Sequence, residues 1–144
     1  MKVVLTCLLA SALSIAESCR AEEPWLVASL GSHHFSSNHY NQHNYGVGFE
    51  YPTSVARLAA IGGFYDNSFE QTSVYAGLAW TPLGIWRAHL GFLGGAVTNY
   101  SHPVLPLVLP TVQFEVGRVG LDVTYAPKVK DGASVLGFQA KIKF

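Results

Sequence analysis

Six histidines are spread unevenly along this 144-residue chain. His33, His34, His39 and His43 crowd one polar stretch, and His102 stands in another. Between them lies Asn67-Ser68. An imidazole beside a hydroxyl is the smallest pair that can activate a nucleophile or an acyl acceptor. Imidazole titrates near neutral pH, so it serves as a general base with little tuning. The same residues also suit a solvated loop, where His and Ser are common. Metal binding is a third reading. It is the least favoured, because the His spacings of one, five and four match no recurring site and no carboxylate or thiolate joins them there. Either chemical reading needs a scaffold that brings distant segments to one place.

That scaffold is legible at the C-terminus. Residues 136–144 alternate without a break, with Leu136, Phe138, Ala140, Ile142 and Phe144 on one face and Gly137, Gln139, Lys141 and Lys143 on the other. A period of two is a strand, and a wholly apolar face must meet something apolar. In a soluble sheet such an ending is an aggregation-prone edge. In a closed membrane barrel it is an ordinary last strand, with lipid on one side and lumen on the other. A terminal Phe on such a strand resembles the assembly signal of bacterial outer-membrane barrels, which implies the barrel assembly machinery as a partner.

Seven further strands are expected: Leu26 to Phe35, Tyr45 to Tyr51, about Ala56 to Tyr65, Ser73 to Trp80, Trp86 to about Val97, Leu107 to Val116, and Val119 to Tyr125. Eight is an even number, as closure of a single-chain bacterial barrel requires. The expected fold is therefore all-β, an eight-stranded antiparallel transmembrane β-barrel. Pro52-Thr53-Ser54, Thr81-Pro82-Leu83-Gly84 and Gly117-Arg118 read as short turns. The stretches 35–44, 66–72, 98–103 and 126–133 read as longer, more polar loops. With both termini periplasmic, the long loops gather on the extracellular rim, and His34 and Ser68 with them.

Residues 1–21 read as a secretory signal peptide, with Lys2 before an apolar run and small residues at Ala16, Ser18 and Ala21. Residues 22–144 form one outer-membrane barrel domain. Cys7 and Cys19 both fall in the leader, so the mature domain has no disulfide framework. No later stretch has the apolar run a transmembrane helix needs. Acidic and basic residues balance at nine each, which excludes the basic footprint of nucleic-acid binding. Charged residues make up only 12% of the chain, about half the usual fraction for a soluble domain.

Several segments together resemble the lipid A palmitoyltransferase (PagP) family. Residues 40–49, Tyr-Asn-Gln-His-Asn-Tyr-Gly-Val-Gly-Phe, are similar to its Tyr-Asn-Glu-x-x-x-Gly-x-Gly-Phe stretch. Tyr65-Asp66-Asn67-Ser68-Phe69 resembles its aromatic-x-Asp-Ser-aromatic loop, and the match runs ungapped to Trp80. Residues 89–98, 105–110 and 124–127 resemble its fifth strand, its proline-rich sixth strand and its Thr-Tyr-Ile-Pro segment.

The resemblance implies an outer-membrane enzyme that moves an acyl chain from a phospholipid donor to lipid A, without a cofactor. It assigns the catalytic base to His34, with His33 selected by a one-residue slip. It assigns the hydroxyl to Ser68 and the family's Asp to Asn67. That last position is a departure, because an amide carries no charge and accepts no proton. Restoring Asp there is expected to retain or raise activity. The resemblance puts Ala79 where well-studied members have a Gly at the floor of the acyl slot. Strand alternation adds Gly77 and Tyr75 as acyl-chain-binding residues on the same lumen face. Pro106 and Pro110 are expected to open the wall to acyl chains from outer-membrane lipids, whereas Pro103 and Pro127 fit prolines that end strands near loops. A monomer is expected. The main alternative is a non-enzymatic small barrel with a structural, adhesive or ligand-binding role. A lipid A deacylase ranks lower.

Overall fold

A computed structural model describes residues 22–36, 38–128 and 132–144. The expected signal peptide, with Cys7 and Cys19, lies outside the described residues. Eight antiparallel strands form a closed barrel in chain order. They are β1 (Trp25–Phe35), β2 (Gly46–Pro52), β3 (Leu58–Asp66), β4 (Thr72–Ile85), β5 (Ala88–Thr98), β6 (Val104–Val116), β7 (Val119–Ala126) and β8 (Ser134–Lys143). β1 pairs with β8 from Trp25↔Lys143 to Phe35↔Ser134 and closes the ladder.

Alternation along each strand sorts side chains as the pattern requires. On β4, Val74, Leu78 and Trp80 are exposed on the outer wall, whereas Ser73, Ala79 and Thr81 are buried inside. Val47, Phe49, Phe92, Val108, Leu121 and Ile142 continue the apolar exterior around the barrel. An exposed apolar belt of this kind on a closed barrel faces lipid.

One sequence reading is corrected at the turns. Residues 81–84 do not form a turn: β4 runs through them to Ile85, and the chain reverses at residues 86–87. The Pro and Gly signals there mark a β-bulge instead. The β4–β5 register skips between Trp80 and Leu83, where proline's missing N–H is tolerated. The tight reversal itself puts Trp86 at φ 56°, and the 117–118 turn puts Gly117 at φ 62°. Both are the left-handed backbone that two-residue hairpins demand. The turn expected at 52–54 lies at 53–57 and delays β3 to Leu58, after Arg57 at φ 59°. β6 begins earlier than expected, at Val104, and so contains both Pro106 and Pro110.

The ends of β1, β3, β5 and β7 and the starts of β2, β4, β6 and β8 share one end of the barrel, so the connections between them open there. The start of β1 and the end of β8 meet at the other, where Phe144 N donates to the Pro24 carbonyl at 3.1 Å. An ionic layer closes that end from within. Lys141 Nζ lies 3.1 Å from Glu50, 3.2 Å from Asp122 and 3.7 Å from Glu115. Arg57 reaches Glu115 at 3.0 Å, and Gln113 donates to Glu50 and Asp122. The Lys141 side chain is fully buried, and its ammonium sits 4.7 Å from the Trp25 ring centroid. Removing one member of a buried ion cluster leaves uncompensated charge, which costs about 3–5 kcal/mol. Lys141→Met should therefore lower the unfolding free energy, extrapolated from urea titration in detergent micelles, by an amount in that range. Lys143→Met, one lumen-facing position on, should shift it far less.

Candidate active site

The opposite end of the lumen holds the polar residues singled out above. On β1, Trp25, Val27 and Ser29 face inward, so unbroken alternation would turn His33 to the lumen. The β1–β8 register slips between Ser29 and Gly31, with Leu30 as the extra residue. A bulge of one residue inverts the parity of everything after it. His34 is therefore buried, at 7% exposure, while His33 points outward and packs edge-on against Phe35. The bulge thus turns His34, and not His33, into the lumen.

His34 Nε2 lies 2.8 Å from Ser68 Oγ, across 34 residues of sequence. Tyr40 stacks on the imidazole with centroids 4.7 Å apart and planes at 17°. On the other ring edge, Ser32 Oγ makes a long 3.5 Å contact with Nδ1. Ser32 donates in turn to Asn44 Oδ1, and Asn44 Nδ2 donates to the Asp66 carbonyl at 2.8 Å. With its own proton committed to Asn44, Ser32 presents an acceptor to His34. That favours the proton on Nδ1 and leaves Nε2 free to accept from Ser68. A hydroxyl and an amide thus occupy the orienting position that a carboxylate fills in many triads.

Asn67 plays a different part. Its side chain is fully buried and makes no hydrogen bond to His34. Its Oδ1 accepts from the backbone N–H of Phe69 at 2.8 Å and of Gln71 at 3.1 Å. Its Nδ2 donates to the Asn99 carbonyl at 2.7 Å and to Ser73 Oγ at 3.0 Å. All of its capacity goes into holding the 67–71 connection, and hence Ser68, against the 99–103 connection. Asn41 clamps the same loop from the first connection: its Nδ2 donates to the Asn67 carbonyl and its N–H to the Ser68 carbonyl, both at 3.1 Å.

The other histidines stand apart. His39 and His43 line an exposed rim hollow with Glu70, and His102 is exposed in its own loop. Among the described residues no three His, Cys, Asp or Glu side chains converge as metal ligands. Sequence reasoning missed Ser32, Asn44 and Ser73. Ser73 lies on the inward face of β4, Ser32 follows the β1 bulge and Asn44 lies just before β2, so what each bonds to emerges only in the fold.

Below the site the lumen divides. Gly77 and Ala79 on β4, Leu93 and Val97 on β5, and Leu105, Leu107 and Leu109 on β6 give one side an apolar lining. Tyr75 crosses from β4 toward β2 and β3, its hydroxyl filling the space that side chains at Gly48 and Gly63 would need. Beneath Ala79, Thr81 is tied to Gln113 at 3.2 Å and Arg57 at 3.3 Å, the start of the ionic layer. The wall beside this apolar strip is incomplete. β6 pairs with β7 only from Thr111↔Thr124 to Val116↔Val119. Val104 to Pro110 has no register partner on β7 among the described residues.

Over 108 residues the chain is 32% identical to the lipid A acyltransferase PagP of Laribacter hongkongensis (strain HLHK9). The match covers 67% of this chain and 52% of that relative. The chain is a divergent member of the PagP family. It spans about half the length of the curated relative it matches. No family model matches it.

The geometry reverses one expectation. In an Asn67→Asp variant a carboxylate oxygen would face the Asn99 carbonyl where Nδ2 now donates. Ser73 cannot turn to compensate, because its hydroxyl is given to the Thr98 carbonyl at 2.6 Å. Leaving buried partners unmatched costs about 1–3 kcal/mol. Asn67→Asp should destabilise the rim by that order and lower activity rather than raise it. Hydrogen exchange of the 67–71 amides, read beside the transfer rate, checks this.

Proposed function

We propose that this chain is an outer-membrane acyltransferase that moves a fatty acyl chain from a phospholipid to a hydroxyl of lipid A. The observation that carries the reading is the 2.8 Å contact between His34 Nε2 and Ser68 Oγ, directly above an apolar strip of lumen. The family relationship supports it, as the curated relative is named a lipid A acyltransferase.

The donor chain enters from the membrane through the open upper part of the β6–β7 wall, beside Pro106 and Pro110. It lies along the apolar lining of β4, β5 and β6, with its ester at the level of Ser68. Ser68 gives its proton to His34 Nε2 and takes the proton of the acceptor hydroxyl. The acceptor oxygen bonds to the ester carbonyl carbon, and the bond from that carbon to the glycerol oxygen breaks. The departing lysophospholipid oxygen takes the proton held by His34. One ester forms and one breaks, and no cofactor enters the step. Asn67 orients the Ser68 loop, and His34 holds the transferable proton. Partners are the phospholipid donor, the lipid A acceptor, surrounding outer-membrane lipids and, during biogenesis, the barrel assembly machinery. The barrel works as a monomer.

Mass spectrometry of lipid A from cells with and without the protein tests this reading. The expected result is one added acyl chain, lost in His34→Ala and Ser68→Ala while the folded barrel persists. An unchanged lipid A profile would favour the non-enzymatic barrel.

Ala79 is 2% exposed inside the lumen, one inward position above the polar layer that begins at Thr81. It therefore bounds the apolar strip from below, with Gly77 and Tyr75 lining the strip above it. A methyl group there should shorten the best-fitting chain by about one methylene, worth roughly 0.8 kcal/mol and so about a fourfold preference. The preferred donor should be shorter, or less sharply selected, than palmitate. Ala79→Gly should shift selection toward longer chains by that factor, measured with phospholipids differing by single methylenes.

A further inference from the structure

The outer wall of the barrel carries a hollow of about 850 Å³ with no charged side chain in its lining. It begins at Pro106 and Val108 on β6, in the half of the wall nearer the loop-bearing end. It crosses Gly94 on β5, passes Leu78 and Trp80 on β4, and reaches Leu58 and Val55 at the other end. The hollow is therefore a groove that descends the wall. Its upper mouth adjoins Val104 to Pro110, the stretch of β6 with no register partner on β7 among the described residues. Leu107, which lines the apolar strip of the lumen, also floors the groove. Two apolar tracks thus run back to back, one on each face of β6.

Gly94 sets the depth of the groove. It pairs with Leu78 on one side and Val108 on the other, both of them exposed on the outer wall. Lipid-facing positions of a barrel ordinarily carry apolar side chains. A glycine in a strand is usually explained by a left-handed backbone or by crowding. Neither applies here. Gly94 has no positive φ, and a Cβ there would meet nothing nearer than Val108 Cγ2, at 4.0 Å. At Gly77, Gly91 and Gly95, by contrast, a Cβ would run into neighbouring backbone. The space over Gly94 is open, and the small pair Ala76 and Ala96 keeps it open toward the rim.

We propose that this groove takes the second acyl chain of the phospholipid donor, so that the donor straddles β6 with one chain on each face. The identity of the lipid rests on the acyltransferase reading. Two chains on one glycerol suit two tracks separated by a single layer of strand, with the glycerol at the unpaired edge of β6. A chain that leaves bulk lipid for the groove gains packing and no hydrophobic burial, so the contact is weak by itself. It counts because the chains are joined, which makes the second contact intramolecular once the first is made. The groove thereby favours two-chain donors over single-chain ones, at a distance from the His34–Ser68 pair.

Two measurements on the purified full chain in detergent micelles test the inference. The first maps contacts without turnover. A diacyl phospholipid with a diazirine near the methyl end of each chain is photolysed with the protein, and adducts are located by mass spectrometry. On the outer wall, adducts should concentrate on Trp80, Leu58 and Val55, while the exposed Leu26 and Ile142 on β1 and β8 label weakly. Gly94→Leu should cut the groove adducts about fivefold, the scale of lost packing contacts. An even spread around the outer wall overturns the inference. So does equal groove labelling by a lysophospholipid with the same diazirine on its one chain. The second measurement is kinetic. The ratio of kcat/KM for the diacyl donor to that for the lysophospholipid donor should fall about fivefold in Gly94→Leu, chiefly through KM, and by an intermediate factor in Gly94→Ala. A ratio that ignores both substitutions overturns the inference and leaves acyl transfer standing. A wild-type chain with no transfer activity overturns the proposed function, whereas adducts confined to the groove in that same protein still uphold a two-chain phospholipid site there.

Discussion

Pairing of β1 with β8 closes the backbone ladder, and the rest of the molecule depends on that closure. In hydrocarbon each backbone N–H and C=O must find a partner within the protein, and a closed barrel supplies one. Closure also leaves a side chain only two directions, out to lipid or into a narrow lumen. Polar chemistry is thereby confined to the lumen and the loop-bearing rim. His34, the neighbours Asn67 and Ser68, and Asn99 come from three separate segments and meet because the strands between them all cross the same wall.

The lumen is layered by charge. Lys141, Glu50, Asp122, Glu115 and Arg57 form a plug at the end where β1 starts and β8 ends, and small and aliphatic side chains lie above it on β4, β5 and β6. Buried ion clusters are not obvious sources of net stability, since desolvation opposes their attraction. Here the cluster marks where an apolar strip must end: a hydrocarbon chain gains nothing by entering it. The same layer ties β2, β6, β7 and β8 together across the lumen. Fold maintenance and the depth of the apolar strip are thus linked through the Thr81–Gln113–Arg57 contacts just below Ala79.

At the rim some side chains hold the loops and others address the His34–Ser68 pair. Asn67, Asn41 and Ser73 spend their hydrogen bonds on backbone and on one another, which fixes the Ser68 loop between two neighbouring connections. Ser32 and Asn44 address the far nitrogen of His34. An amide at position 67 suits this frame because it both donates and accepts, which a carboxylate does not. The Asp-to-Asn departure is thus matched by its surroundings: a carbonyl and a hydroxyl on the donor side, and two backbone N–H groups on the acceptor side.

Strand number, the inward and outward faces of β4 and β8, and the gathering of the long loops at one end were all readable from sequence. Each rests on a period of two and on loop polarity, which are local properties. Lys141 could be placed in the lumen for the same reason, though its three carboxylate neighbours could not be named. The turn expected at residues 81–84 failed because Pro82 and Gly84 punctuate a bulge as readily as a reversal, and only pairing with β5 distinguishes the two. The choice between His33 and His34 likewise lay outside the sequence. It turns on one extra residue at Leu30, whose presence depends on how β1 registers against β8, more than a hundred residues away. Asn67 was found by resemblance, but its role was not, because that role lies in the partners tertiary folding brings to it. Alternation is written in the chain, whereas register and partnership are decided when the barrel closes.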